Sequence, residues 1–175
     1  TLDFSNATLI HSNLGGMVAG PSLPPTMRFG NVGTYASTGQ RLDLVVRNVS
    51  AYAPKNTAGN RLNGQFGQVN LALPTPDSNT PDAINAVELE FALVSSDTGK
   101  SVNVSSFSMT FVDFDQGSAA GQYECISLSD FERWHVDKDS EVRVTPGLST
   151  SGATTFCSQA VGTASDNPND PATMT

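Results

Sequence analysis

The chain has 175 residues, about the size of one domain, and it carries 17 acidic side chains against 9 basic ones, for a formal net charge of −8. The basic side chains are scattered along the sequence, so neither nucleic acid nor an anionic membrane surface is an expected partner. No apolar run approaches the length of a membrane span, so we expect no membrane insertion.

Apolar and polar residues alternate with a period of two in much of the chain, and no long window shows the apolar spacing of a helix. In residues 41–49, for example, Leu42, Leu44 and Val46 fall on one face of a predicted strand and charged residues fall on the other. The predicted strands, in chain order, cover residues 2–10, 26–30, 41–49, 66–73, 86–94, 101–112, 123–129, 141–145 and 154–157.

The segments between these strands are rich in Gly, Pro, Asn, Asp and Ser, which is typical of turns. Because several of these segments are long, we expect an all-β fold: an antiparallel β-sandwich of jelly-roll or Greek-key topology with about eight to ten strands. We predict a single domain over residues 1–175. Within it, residues 162–175 are expected to be a polar tail or a loop that leads to a missing element.

The predicted strand over residues 101–112 leads into two carboxylates. The apolar face formed by residues 107–111 continues, in the same parity, to Asp113 and Asp115. Glu124 opens the next strand, where a hairpin can return it to the two aspartates. Hard cations take carboxylate oxygens as ligands, so these three residues predict a structural calcium site. A solvated turn and a catalytic pair are the alternatives.

An enzyme on the same scaffold is the main functional alternative. A glycoside hydrolase or polysaccharide lyase would use Glu88, Glu90 or Asp113 as its acid. Glu88 and Glu90, however, lie on the polar face of an alternating strand, as solvated residues do. His11 and His135 belong to no catalytic motif, and no phosphate-binding loop occurs. We therefore assign no catalytic residue and favour a non-enzymatic function.

Aromatic residues suggest a ligand-binding surface near the only tryptophan. Phe131, Trp134 and His135 fall in one segment, together with charged residues. Aromatic rings flanked by polar groups suit sugars, which present C–H faces as well as hydroxyls. The alternative is that Trp134 belongs to the core of the domain. Tyr52 and Tyr123 are further aromatic candidates.

The two cysteines and three N-glycosylation sequons indicate the compartment. Cys125 and Cys157 lie in predicted strands and form no CxxC pair, so zinc is not expected. We predict a disulfide between them, with two free buried thiols as the alternative. The sequons begin at Asn6, Asn48 and Asn103. Together with the low Lys content, these features predict secretion.

The order of the predicted strands resembles that of secreted jelly-roll modules of the carbohydrate-binding and adhesin kind. The stretches LDFSNATLIHSNLGG, RFGNVG, NRLNGQFGQVNLAL and FVDFDQG are also similar to extracellular proteins of algae and related microbial eukaryotes. This resemblance implies a secreted or cell-surface protein whose partners are glycans or extracellular matrix and surface proteins. A purely structural subunit of a wall or filament is a further hypothesis.

Overall fold

The computed structural model of the chain describes residues 2–18, 23–74, 84–117, 122–147, 152–162, 168 and 170–173. Within these ranges the regular structure is antiparallel β-strand, with three short 3-10 turns and no α-helix. The all-β prediction is therefore confirmed, whereas the jelly-roll topology and the predicted strand number stay predictions. None of the helical segments in these ranges is long and apolar enough to cross a membrane.

The strands of the described residues agree with the predicted ones in position more than in length. The predicted strand over residues 101–112 is wrong as a regular strand, since Ser101 alone pairs there, in an isolated bridge to Val94. The segment is rich in Ser and Asn, residue types that generally favour local side-chain hydrogen bonds over strand pairing. The strands are β1 (Thr8–Ser12), β2 (Thr26–Tyr35), β3 (Gln40–Asn48), β4 (Arg61–Asn63), β5 (Phe66–Gln68), β6 (Leu89–Ser95), β7 (Cys125–Leu128), β8 (Val142–Thr145) and β9 (Thr154–Ser158).

The chain divides into two compact units, which are described here one at a time. Unit 1 comprises Thr1–Met109 and Asn169–Thr175, and unit 2 comprises Thr110–Pro168. The single domain predicted over residues 1–175 stays a prediction. So does the polar tail predicted over residues 162–175, because most of that segment lies outside the described residues.

Unit 1 is built on a four-stranded antiparallel sheet in the order β1–β2–β3–β6. The alternation in β3 turns Leu44 toward the core, where it lies opposite Phe29 of β2 and Leu93 of β6. Full burial of a large apolar side chain contributes about 1.5–3 kcal/mol, so this cluster is a main source of stability for unit 1. Its buried members are Leu14, Met27, Phe29, Val32, Leu44, Val46 and Tyr52.

A buried ion pair occupies the other face of the same sheet. Asp43 of β3 is 1% exposed, and its Oδ2 lies 2.6 Å from the guanidinium of Arg28 in β2. Its Oδ1 accepts hydrogen bonds from the Asn31 N–H at 3.0 Å and the Ser96 hydroxyl at 2.5 Å. Burial alone raises the pKa of Asp43, but these hydrogen bonds and the Arg28 charge outweigh it and lower that pKa. The carboxylate is therefore ionised and well partnered.

Unit 2 contains a smaller, three-stranded antiparallel sheet in the order β7–β9–β8. Residues directly opposite each other share a face, so Ile126 of β7 and Val144 of β8 lie on the same face as Phe156 of β9. The central strand β9 is the best buried of the three, as expected for a strand paired on both sides. The buried residues of this unit, among those described, are Ala153, Thr154, Phe156, Cys157 and Ser158.

Candidate functional site

Trp134 is a half-exposed side chain that rests on the sheet of unit 2. Its ring meets the ring of Phe156 edge to face, with the ring centroids 5.7 Å apart and an interplanar angle of 79°. Phe156 is buried in β9, whereas Trp134 is 50% exposed. Such a contact fixes the indole from one side and leaves the rest of it to solvent. Trp134 is thus only partly a core residue.

The other two residues of the predicted ligand surface are also exposed. Phe131 is 38% exposed, and His135 is exposed. Both lie with Trp134 in the irregular segment between β7 and β8, which also contains Asp130, a residue in the left-handed conformation with φ of 58°. We call Phe131, Trp134 and His135 the Trp134 surface. The structure places all three at the surface of unit 2.

The three acidic residues predicted to bind calcium lie close to one another. The backbone N–H of Glu124 donates to the carbonyl of Asp115 at 3.1 Å, and this pairing joins the two segments. Desolvation and the negative charges of Asp113 and Asp115 raise the pKa of the Glu124 carboxyl, and the Asp115 backbone amide offsets part of this effect. We call these three residues the acidic cluster.

The local conformation of the acidic cluster differs from the one predicted. Asp113 adopts a left-handed backbone conformation with φ of 66°, so the strand-like alternation does not continue through it. The carbonyl of Asp115 also accepts the Ser158 hydroxyl at 2.8 Å, which ties this segment to the end of β9. Within the described ranges, no group of three or more His, Cys, Asp or Glu side chains is arranged to hold a metal ion. The calcium site stays a prediction.

The predicted disulfide is confirmed and joins Cys125 of β7 to Cys157 of β9. The two residues are direct cross-strand partners with their Cα atoms 4.1 Å apart. The Ser158 N–H donates to the carbonyl of Glu124 at 2.9 Å, which makes the cysteines a non-hydrogen-bonded pair, whose side chains lie closest. Arg143 of β8 lies opposite Cys157 and therefore on the same face as the disulfide.

Two of the three carboxylates of the enzymatic alternative, Glu88 and Glu90, lie in unit 1, whereas Asp113 lies in unit 2. Glu90 Oε2 lies 2.5 Å from the guanidinium of Arg47, and hydrogen bonding to that group lowers the pKa of Glu90. A general acid needs a raised pKa, so Glu90 is poorly suited to that role. Glu88 is exposed, as the alternation of its strand predicted.

Neither His11 nor Tyr52 belongs to a surface site. His11 Nε2 lies 2.8 Å from the hydroxyl oxygen of Thr26, and burial together with the nearby Arg28 charge lowers the pKa of this imidazole. Tyr52 is buried in the core of unit 1, and its hydroxyl contacts the side-chain oxygen of Asn60 at 2.8 Å. The suggestion that Tyr52 contributes to an exposed aromatic surface is therefore wrong.

The three sequons differ in how their asparagines are held. Asn6 and Asn103 are exposed. Asn48 is half-buried at the end of β3, where its Nδ2 donates to the Ser50 carbonyl at 2.8 Å and its Oδ1 accepts from the Gly15 N–H at 3.0 Å. Asn48 also lines a shallow depression of 330 Å³. Glycosylation of all three stays a prediction. Asn48 differs from the other two because it is half-buried and its side-chain amide both donates and accepts a hydrogen bond.

Two features of unit 1 and unit 2 escaped the sequence patterns. Asp43 is buried, but it lies in an alternating strand in which polar residues are expected to face solvent. The local sequence therefore does not predict its burial. Arg143 stands in the same kind of pattern, and only the register of β8 against β9 places it beside the disulfide. Register depends on contacts between segments distant in sequence, which local periodicity does not record.

Comparison with known proteins finds no matching protein family, no similar curated protein and no similar solved structure. Any function must therefore be argued from the residues of the two units themselves.

Proposed function

We propose that this chain is a secreted, non-enzymatic β-module that binds a glycan through the Trp134 surface. The observation that carries the proposal is the half-exposed indole of Trp134, braced edge to face against the buried ring of Phe156. A tryptophan that serves only the core buries most of its ring, because the indole offers a large apolar area.

The bracing matters because it limits the entropy lost on binding. A free side chain loses about 0.5–1.5 kcal/mol when a ligand immobilises it. The ring of Trp134 already has a fixed neighbour, so a sugar ring can stack on it at less cost. Phe131 and His135, close to Trp134 in sequence, are also exposed and offer one apolar and one polar ring. The carboxylates of Asp130 and Glu132, in the same segment, are suitable acceptors for sugar hydroxyls.

An extracellular location is consistent with the disulfide. Disulfides persist in oxidising compartments and are rare where glutathione and thioredoxin keep thiols reduced. Both cysteines of the chain are engaged in this bond. The exposed sequon asparagines, Asn6 and Asn103, are accessible to the glycosylation machinery of a secretory pathway.

The proposal includes a calcium ion held by the acidic cluster. Its support is that Glu124 is partly desolvated and feels the negative charges of Asp113 and Asp115, which together raise its pKa. Bringing like charges together costs free energy unless a cation compensates for it. The ion would have a structural role, because the cluster is anchored to the end of β9 through Asp115 and Ser158.

A panel of soluble glycans tests the binding function. In affinity electrophoresis, we expect at least one polysaccharide among cellulose, xylan, mannan, β-glucan and chitin derivatives to retard the wild type. Trp134→Ala should weaken that retardation by about tenfold or more, as expected for an aromatic residue at the centre of an interface.

The matched control is Phe107→Ala, because Phe107 is an equally exposed aromatic residue, at 52%, in a different part of the chain. It should bind as the wild type does. The absence of binding across the panel, or equal binding by Trp134→Ala and the wild type, would contradict the proposed function.

A further inference from the structure

We propose that Cys125 is a site of covalent modification by low-molecular-weight thiols, which attack its sulfur and displace Cys157 as the leaving thiolate. The inference concerns the disulfide face of the unit 2 sheet, formed by Cys125, Cys157 and Arg143. It does not depend on glycan binding, because the Trp134 contact is made through Phe156, on the opposite face of β9.

The two cysteines of the disulfide differ in their exposure to solvent. Cys125 is an exposed residue at the start of β7, whereas Cys157 is 6% exposed and lies in the central strand β9. In the described sheet, β7 is an edge strand that pairs with β9 alone. Thiol–disulfide exchange depends on access to the sulfur under attack, so exposure favours Cys125.

The direction from which a thiolate must approach is also restricted. Exchange proceeds in line, with the entering sulfur on the side opposite the bond that breaks. Because the cysteines are direct cross-strand partners, the bond between their sulfurs runs across the strands. The rear of the Cys125 sulfur therefore faces the outer edge of the sheet, and the rear of the Cys157 sulfur faces β8 and Arg143.

A charged residue also lies beside the leaving group. Arg143 lies opposite Cys157 on the neighbouring strand, and adjacent strands are about 4.8 Å apart, so its side chain can reach the Cys157 sulfur. A nearby guanidinium lowers the pKa of a thiol, and a thiol with a lower pKa leaves faster. Arg143 therefore favours the departure of Cys157 as a thiolate, while the adjacent strand β8 limits access to the rear of the Cys157 sulfur.

The reaction balances with the thiol as the only co-reactant. A thiolate forms a bond to the Cys125 sulfur, the bond between Cys125 and Cys157 breaks, and its electron pair leaves on the Cys157 sulfur. A second thiolate then attacks the thiol sulfur of the mixed disulfide and releases Cys125 as a thiolate. One protein disulfide is reduced, and two thiols are oxidised to their own disulfide.

Trapping the first intermediate tests the inference in the native wild type. The folded protein is incubated with 2-mercaptoethanol, quenched in acid with an alkylating agent, and mapped by peptide mass spectrometry. We expect the mercaptoethanol adduct on Cys125 and the alkyl group on Cys157, in at least about tenfold excess over the opposite arrangement. The opposite arrangement, an even mixture, or reduction only in denaturant would each overturn the proposal.

A pair of arginine variants tests the role of Arg143. Arg143→Gln should slow the formation of the Cys125 adduct by about threefold or more, because the leaving thiolate loses its cationic neighbour. Arg133→Gln is the matched control: it removes another exposed arginine of unit 2 that lies outside the sheet, and it should leave the rate unchanged. Equal rates in the wild type and Arg143→Gln would contradict that role, while the wild-type mapping stands independently of whether the variant folds.

Discussion

Unit 1 carries six basic and eight acidic side chains, whereas unit 2, with about half as many residues, carries three basic and nine acidic ones. Their formal net charges are therefore −2 and −6. Unit 1 pairs its buried charge, Asp43, with Arg28, and it has a core cluster of seven buried residues. In unit 2, the charges of two aspartates act on Glu124. A disulfide joins Cys125 of β7 to Cys157 of β9.

The two units therefore offset the conformational entropy lost on folding in different ways. Unit 1 has enough buried apolar area to do so by packing. Among the described residues of unit 2, the buried ones are Ala153 and members of β9, and the excess negative charge of the unit opposes compaction. A covalent link compensates for both deficits by limiting the freedom of the unfolded chain.

Removing a core ring should affect unit 1 most. Phe29 is 2% exposed and packs edge to face with Phe4 at a centroid distance of 5.4 Å. Phe29→Ala should lower the free energy of unfolding by about 3–5 kcal/mol, because it leaves a cavity in the packed cluster. Urea unfolding followed by circular dichroism measures this change. Phe107→Ala, at the surface, should change it by less than about 0.5 kcal/mol, and a similar loss in both variants would contradict the assignment of the core.

Removing the disulfide should affect unit 2 by nearly as much. The bond closes a loop with a sequence separation of 32 residues. The double variant Cys125→Ser, Cys157→Ser should cost about 3–4 kcal/mol, since the unfolded chain regains the freedom that the bond removes. Hydrogen exchange read by mass spectrometry should show faster exchange in β7 and β9. Equal losses of protection in β2 and β3 would contradict a separate mode of stabilisation for unit 2.

Neutralising the buried carboxylate should destabilise unit 1 at neutral pH and remove the part of its acid sensitivity that Asp43 causes. Asp43→Asn should cost about 2–3 kcal/mol at neutral pH, because it leaves the Arg28 charge without its buried partner. The folded-state pKa of Asp43 is lowered, so its contribution is present above the usual aspartate pKa and is lost as the pH falls through the lowered value. A pH series of urea unfolding curves should show this loss in the wild type only. An unchanged acid dependence in Asp43→Asn would contradict it.

Glu124 should give unit 2 the opposite and smaller pH dependence. Its folded-state pKa is raised, so the folded state binds the proton more tightly, and the contribution is present below the usual glutamate pKa and lost as the pH rises through the raised value. In EDTA, Glu124→Gln should therefore stabilise unit 2 at neutral pH by less than about 1 kcal/mol, because the residue is at the surface and solvent screens its repulsion from the two aspartates. Hydrogen exchange of β7 in the wild type and the variant measures the difference.

Calcium provides the control for that prediction. Calcium at neutral pH should raise the melting temperature of the wild type relative to EDTA and should have little effect on Asp115→Asn. An identical melting temperature in calcium and EDTA would contradict a calcium ion in the acidic cluster, although the sign of the Glu124 effect would still stand.

Local patterns predicted the all-β class because alternation in segments such as residues 41–49 depends only on which face of a strand is buried. They also placed Cys125 and Cys157 in strands, where the structure pairs them. They failed over residues 101–112, where alternation is present but strand pairing is confined to Ser101. Pairing needs a neighbouring strand in register, and no local pattern specifies one.

In the candidate site, too, the sequence indicated local features but not the contacts between residues distant in sequence. The mixture of aromatic and charged residues suggested a ligand surface in the segment containing Trp134, but it left open whether Trp134 belongs to the core. The support of Trp134 by Phe156 was not predictable, because the two residues are distant in sequence and meet through the fold of unit 2. The left-handed conformation of Asp113 was equally hidden, since aspartate adopts it only where the surrounding structure requires it.

The fluorescence emission of the protein reports directly on whether a glycan binds at Trp134, because Trp134 is the only tryptophan of the chain. Half exposure predicts partial quenching by acrylamide in the free protein. When a glycan that retards the protein in electrophoresis is added, we expect a blue shift of the emission and reduced quenching, with the same saturation concentration for both. Glycan binding that leaves the emission and quenching of Trp134 unchanged would contradict the proposed role of this residue.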